Sequence, residues 1–291
     1  MRRFPASLAA LLFLVSPAQA EAQAQAEERL QNADLGFGIY ALGAKAFDVE
    51  MKVARGSDGL NVASAVRSTG AANLLLRFRM QSDLSVRQAD DGLLSPLRYA
   101  SQSDGSFSKR TIMILWGADG LPTSVVEPPA AADDRDPVLP EQTRGTFDPT
   151  TAVLARALRR DTAAPCEGSD RIFDGRRRYN LHYEAAGMER LEAHNRSAYA
   201  GLALKCRLRF EPIAGYSRKY MDQTRKLEDE VTEMWLARLP GQPVWLPVRL
   251  RSAWMLGEVN GHITAARING RQTLMPVADD APPPEPAKIA P

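Results

Sequence analysis

The sequence is poor in the residues that most often carry chemistry. Its 291 residues include two cysteines, Cys166 and Cys206, and three histidines, His182, His194 and His262. The histidines lie far apart and fall on different predicted strands or turns, so each reads as an isolated surface or part-buried side chain. No GxSxG elbow, HExxH helix, P-loop or GxGxxG before a suitable helix is found. The cysteines show neither CxxC spacing nor a histidine cluster, which argues against a metal pair. No catalytic constellation, cofactor or metal site is expected.

An excess of one charge is also missing. Lys and Arg number 37 against 35 Asp and Glu, and the first twenty residues hold two of the arginines and no acid. A chain without those residues carries 35 of each sign. A nucleic-acid partner, which calls for a strong basic excess, is therefore not expected. The apolar run Leu8–Val15 is eight residues long, well short of the ~20 that span a bilayer, and no later stretch approaches that length.

What is present at the N-terminus is the layout of a secretion signal. Arg2 and Arg3 precede the apolar run, Ser16-Pro17 breaks it, and Ala18-Gln19-Ala20 offers small residues to a signal peptidase. Ala24-Gln25-Ala26 offers a second cut, and no cysteine follows the run to take a lipid anchor. The expectation is a cleavable signal over 1–20, a polar leader over 21–34 and a periplasmic protein with no transmembrane segment. In an oxidising compartment an isolated cysteine pair more often forms a disulfide than a reactive site. A Cys166–Cys206 bond would close a loop of about 41 residues and restrict the unfolded chain by roughly 3.9 kcal/mol in the chain-entropy account.

The remainder reads as mainly β. Phe47, Val49, Met51 and Val53 alternate with Asp48, Glu50 and Lys52, the period of a half-buried strand. Ser57-Asp58-Gly59 turns the chain back along Leu60–Ser68. Residues 71–86 fit a short helix or a buried strand. Lys109–Trp116 and Ser124–Val126 read as strands, and Pro128–Thr146 as a long exposed loop. Asp148 at an N-cap and Pro149 at N1 start a helix running to about Arg160. Asp174-Gly175 predicts a type I′ hairpin between Arg171–Phe173 and Arg178–Tyr183. In Ser197–Phe210 the residues Leu202, Leu204, Cys206, Leu208 and Phe210 alternate with Ala203, Lys205, Arg207 and Arg209, which turns Cys206 inward. Ser217–Asp229 fits a helix or a flexible excursion; Glu233–Arg238, Val244–Trp254 and Ile263–Ile268 read as strands. The Pro-rich end, 277–291, has no core-forming pattern. The sum is one β-rich domain over 35–276: an antiparallel meander of about ten to thirteen strands, curled into an open barrel or spiral, with one central helix.

Two groups are candidate contacts. Arg176, Arg177, Arg178 and Tyr179 could hold a phosphate or carboxylate, or sit on a solvated hairpin face. Trp235, Trp245 and Trp254 could line an apolar cavity or fill a β core.

Several short motifs together carry a resemblance. Tyr40-Ala41-Leu42-Gly43, the helix start Gly145-Thr146 with Asp148-Pro149, and Cys166 followed by Phe173-Asp174-Gly175-Arg176-Arg177-Arg178-Tyr179 and Cys206 resemble the bacterial envelope family called domain of unknown function 3108. Trp245-Leu246-Pro247-Val248-Arg249-Leu250 fits it too. The resemblance spans roughly residues 37 to 270 and implies a periplasmic protein with no assigned activity. It also suggests a looser similarity to curved-sheet carriers of lipoproteins and to β-spiral proteins that support envelope integrity. Two functions follow as expectations: support of the envelope through a protein partner, or carriage of a lipid or other amphiphile in a curved-sheet cavity.

Overall fold

The computed structural model describes residues 29–106, 108–129, 135–158, 165–218, 220–221, 232–242, 244–254 and 257–277. The expected signal, most of the expected leader, the expected helix end at 159–160, most of 217–229 and nearly all of the Pro-rich tail lie outside them.

Among the described residues fourteen strands form one antiparallel sheet. The chain enters in its middle with β1 (Asn32–Ala41) and meanders outward through β2 (Ala44–Arg55), β3 (Gly59–Ser68), β4 (Arg79–Gln88), β5 (Leu94–Gly105), β6 (Ser108–Trp116) and β7 (Pro122–Glu127). It then crosses to the far edge and returns through β8 (Gly168–Phe173), β9 (Arg178–Leu191), β10 (Gly201–Ala214), β11 (Thr232–Arg238), β12 (Trp245–Trp254) and β13 (Gly257–Ile268). β13 pairs with β1, and the short β14 (Arg271–Leu274) pairs with the end of β13. This is the expected curled meander. β1 begins at Asn32, inside the stretch read as a leader, because Ala33 enters the core.

The sheet is not closed, yet its ends approach each other. Segment 144–147 ties them together: Arg144 Nη1 donates to Asp119 O at 2.7 Å, and Gly145 N to Gly120 O at 3.0 Å. Phe147 pairs in parallel with Ile172 of β8, and Trp116 Nε1 donates to Thr146 O at 2.9 Å. The stretch expected to be a long exposed loop is therefore corrected in its last third. It contains the helical turn α2 (Pro140–Thr143), and Thr143 and Thr146 are buried. Backbone groups that serve the sheet ends, not apolar periodicity, set this conformation.

Residues 71–86 divide between the two readings, giving α1 (Gly70–Leu76) and then β4. The central helix α3 (Pro149–Ala157) starts as the sequence predicts. Asp148 is fully buried and accepts from Thr150 N at 2.9 Å and Thr151 N at 3.0 Å, which satisfies two otherwise orphaned donors. Leu154 packs among Leu30, Val53, Leu60, Val62 and Leu84, so α3 fills the concave side of the sheet. Each such side chain contributes about 1.5–3 kcal/mol by leaving water. Arg156 lies in the last turn of α3. It is buried, grips Asp170 of β8 with Nε at 2.9 Å and Nη2 at 2.6 Å, and stacks 4.1 Å from the Tyr183 ring.

Candidate functional site

The Cys166–Cys206 disulfide forms with a Cα–Cα distance of 5.2 Å, and both residues are fully buried. It fastens the segment before β8 to the middle of β10, beside Tyr183, Met234, Leu236 and Trp245. The start of β8 is thereby fixed, and with it the β8–β9 turn that carries the arginine run.

That turn is longer than expected and of another type: Phe173 pairs with Arg178, and residues 174–177 connect them. Gly175 has φ +90°, but Asp174 and Arg176 have no positive φ, so both centres of a type I′ turn are not supplied. Asp174 organises it: Oδ1 accepts from Arg176 N at 3.0 Å and Arg177 N at 2.7 Å, and Oδ2 from Arg177 Nε at 2.8 Å. The turn is pressed from both sides. A Cβ on Gly175 would stand 2.6 Å from Ile112 Cγ2, and one on Gly215 would stand 2.2 Å from the Arg176 carbonyl oxygen. The two ends of the sheet meet here.

The three arginines have different surroundings. Arg177 is held by Asp174 and lies 5.8 Å from the Tyr216 ring. Arg178 is buried and donates through Nε to Gln142 O at 2.9 Å and through Nη1 to Tyr179 O. Arg176 has no hydrogen bond or ion pair through its guanidinium among the described residues. Burial lowers its pKa, and the charges of Arg110, Arg135 and Arg177 add to that. Tyr179 packs 4.7 Å from Phe210, and burial raises its hydroxyl pKa well above the usual range.

Trp235 and Trp245 have different surroundings. Trp245 lies beside the disulfide and also lines an apolar crevice of about 60 Å³ between α3 and strands β1–β3, with Leu35, Phe37, Met51 and Val153 among the other walls. Trp235 is buried beneath Lys205, Arg249 and Arg251, whose charged groups stand 5.1, 4.9 and 5.8 Å from its ring centroid. Trp254 ends β12.

The histidines are not all isolated, which corrects the sequence expectation. Ala198 N donates to Ile263 O at 2.8 Å, laying the segment after β9 along β13. The His194 ring is thereby set 4.6 Å from that of His262. Arg249, directly opposite His262 in register, and Arg196, 4.7 Å from the Tyr40 ring, complete a cationic surround. Burial lowers the His262 pKa to about 3, and the charges of His194, Arg249 and Arg196 push it the same way. Its Nδ1 has no hydrogen-bond partner among the described residues, so nothing there rewards protonation. His182 Nε2 lies 2.7 Å from Glu211 Oε2, which also accepts from Asn180 Nδ2. No hydroxyl or thiol is hydrogen-bonded to that pair among the described residues.

Comparison with known proteins places the sequence in a family. The chain matches the family described as Protein of unknown function (DUF3108) over residues 34–264. It belongs to that family. The match runs from β1 into β13 and so takes in both halves of the sheet. No curated sequence matches the chain. Among solved structures it is similar to a beta-barrel-like protein of DUF1849 from Brucella abortus, at 9% identity and TM-score 0.47, covering 82% of this chain and 98% of that one. It also matches a putative lipoprotein from Parabacteroides distasonis at 11% identity and TM-score 0.29, covering 81% of this DUF3108 chain and 95% of that one. Among the described residues no helix is long and apolar enough to cross a membrane.

Proposed function

We propose that this DUF3108 protein works in the periplasm as a non-enzymatic protein that supports cell-envelope integrity by binding a protein partner. The signal-like first twenty residues and the buried disulfide support the location, since such bonds persist in oxidising compartments. The observation that carries the binding role is the edge hairpin β6–β7. β7 pairs on one side only, and Met113 and Val125, opposite each other in register, are 37% and 53% exposed beside Leu115 at 43%. A strand edge with Val125 exposed on it, backed by exposed Met113 and Leu115 on β6, suits a partner segment that adds as a further strand. Pro122 and Pro128 bracket the edge and limit such pairing to the residues between them.

Deletion of the gene should raise sensitivity to detergents and cell-wall antibiotics. The wild-type gene should restore resistance, while a folded Met113→Asp/Val125→Asp variant should not. Unchanged sensitivity after deletion would remove the envelope role; full rescue by the double variant would remove this surface.

The apolar crevice favours a second reading, carriage of an amphiphile. At about 60 Å³ it is small beside the roughly 300–1,000 Å³ of ordinary ligand pockets, so α3 would have to move to admit one. Native mass spectrometry of protein from an envelope fraction separates the two readings: bound lipid supports carriage, and a uniformly empty chain rejects it.

A further inference from the structure

Arg110 and Arg176 come from opposite ends of the sheet and meet at one rim. Arg110 lies on β6 in step with Ile112 and Ile114, the two side chains that receive Gly175. Ser124 Oγ donates to Gly175 O at 3.4 Å, which ties the turn to β7 as well. A third strand of chain enters the same place: Arg135 bridges to Ser217, and Asp136 O accepts from Gly215 N at 3.0 Å. Gly215 in turn abuts the Arg176 carbonyl. Arg110, Arg135 and Arg176 are thus carried to one rim by three segments whose backbones are packed or hydrogen-bonded together.

The surroundings of Arg110 and Arg176 set them apart from Arg177 and Arg178. Arg177 has Asp174, and Arg178 has backbone carbonyls. The guanidiniums of Arg110 and Arg176, each half-buried, have no hydrogen bond or ion pair among the described residues. Asp174 is engaged by the Arg177 side chain and by the backbone N–H groups of Arg176 and Arg177, and its charge offsets only part of the repulsion on Arg176 from Arg110, Arg135 and Arg177. Ser103 lies opposite Arg110 in register, and its Oγ donates to Arg110 O at 3.4 Å, which holds the β6 backbone at the cluster. Like charges held together cost free energy, and that cost falls when an anion bridges them. Several planar guanidiniums gathered at one rim match the several oxygens and the double charge of a phosphate better than a single carboxylate.

We propose that Arg110, Arg135 and Arg176 form a binding site for a phosphate group, carried by a lipid headgroup or by a small phosphorylated molecule. The site is independent of the partner-binding role. It uses the inner face of β6, whereas Met113 and Leu115 lie on the outer face, so either can fail without the other.

The test uses the chain without its first twenty residues. Titration calorimetry and thermal unfolding are measured with inorganic phosphate and pyrophosphate, and flotation with phosphatidic acid vesicles against phosphatidylcholine vesicles. Saturable binding with a rise in Tm is expected for pyrophosphate. An Arg110→Gln/Arg176→Gln variant should bind about tenfold or more weakly, because each substitution removes charge-assisted hydrogen bonds. Arg110→Lys keeps the charge without the fork and should fall between, which guards against a fold defect in the double variant. Flotation with phosphatidic acid that the double variant loses identifies a headgroup; binding to the inorganic ions without flotation identifies a small molecule. Absence of binding to every probe, or equal binding by wild type and both variants, would overturn the proposal.

Discussion

Strands β2–β5 bury one face and leave the other to water, whereas β11 in the second half is buried on both sides from Glu233 to Ala237. In the first half the inward rows are short side chains repeated across strands, such as Val53, Val62 and Leu84 in direct register. The second half has a disulfide and a buried ion pair on the helix side, and charged side chains packed over Trp235. Charge is therefore structural in one half and largely solvated in the other. The same residue type, arginine, should have quite different weight in each.

The largest expected effect is at Arg156. Its side chain is 3% exposed and that of Asp170 is 9%, and the bidentate pair joins α3 to β8. Arg156→Leu leaves the Asp170 carboxylate buried without its cation, at a cost of roughly 3–5 kcal/mol. Urea unfolding should show a much lower midpoint with little change in slope. A double Arg156→Leu/Asp170→Leu variant should recover a large part of that loss, since the uncompensated charge is gone. A loss below about 1 kcal/mol in the single variant would mean the pair is screened like a surface one, and the contrast between the halves would fail.

How legible each half was in the sequence follows the same division. Alternation in Phe47–Val53 found β2 because only one face of that strand is buried. In β10 the alternation placed Cys206 inward, yet Ala203, assigned to the opposite face, is fully buried, and a bulge falls between Leu204 and Cys206. A strand covered on both sides carries no clean period. The Asp148 cap and the cysteine pair were readable because each depends on local or compartmental chemistry. The pairing of His194 with His262 was not, since it arises from a loop laid along β13 across 68 positions of sequence. Arg110 carried an unused signal: its step with Ile112 and Ile114 already placed it on the inward face. What no local pattern could show is that Arg176 would arrive beside it from the far edge of the sheet.

A middle-sized effect separates the halves by pH. His262 is buried in the second half against His194, Arg249, Arg196 and the Tyr40 ring, and burial lowers its pKa from 6.5 to about 3. The unfolded chain then takes up a proton as pH drops through 6.5 while the folded chain does not, so stability is full above 6.5 and declines toward 3. The slope is about 1.4 kcal/mol per pH unit for one proton, or roughly 2 kcal/mol between pH 6.5 and 5. Buried Asp148, whose pKa is raised by burial, works in the opposite direction on acidification, so the comparison must be with a variant that retains it. His262→Phe keeps an aromatic ring beside His194 and should flatten the fall in stability between pH 7 and 5. Parallel pH profiles for the two proteins would assign the acid sensitivity elsewhere.

The smallest effect belongs to the first half. Arg67 Nη2 stands 2.5 Å from Glu50 Oε1 on the outer faces of β3 and β2, and both side chains are 56% exposed. This distance is shorter than either bond from Arg156 to Asp170, so geometry alone would rank the surface pair first. Solvent reverses the ranking: water screens the attraction, and ordering two long side chains offsets much of what remains. Arg67→Ala should cost about 1 kcal/mol or less, and the cost should fade as salt rises toward ~1 M, where the Debye length is about 3 Å. Urea unfolding at low and high salt, run beside Arg156→Leu, measures both arginines on one scale. If Arg67→Ala cost as much as Arg156→Leu, or kept its full effect in high salt, burial would not be what separates the two halves.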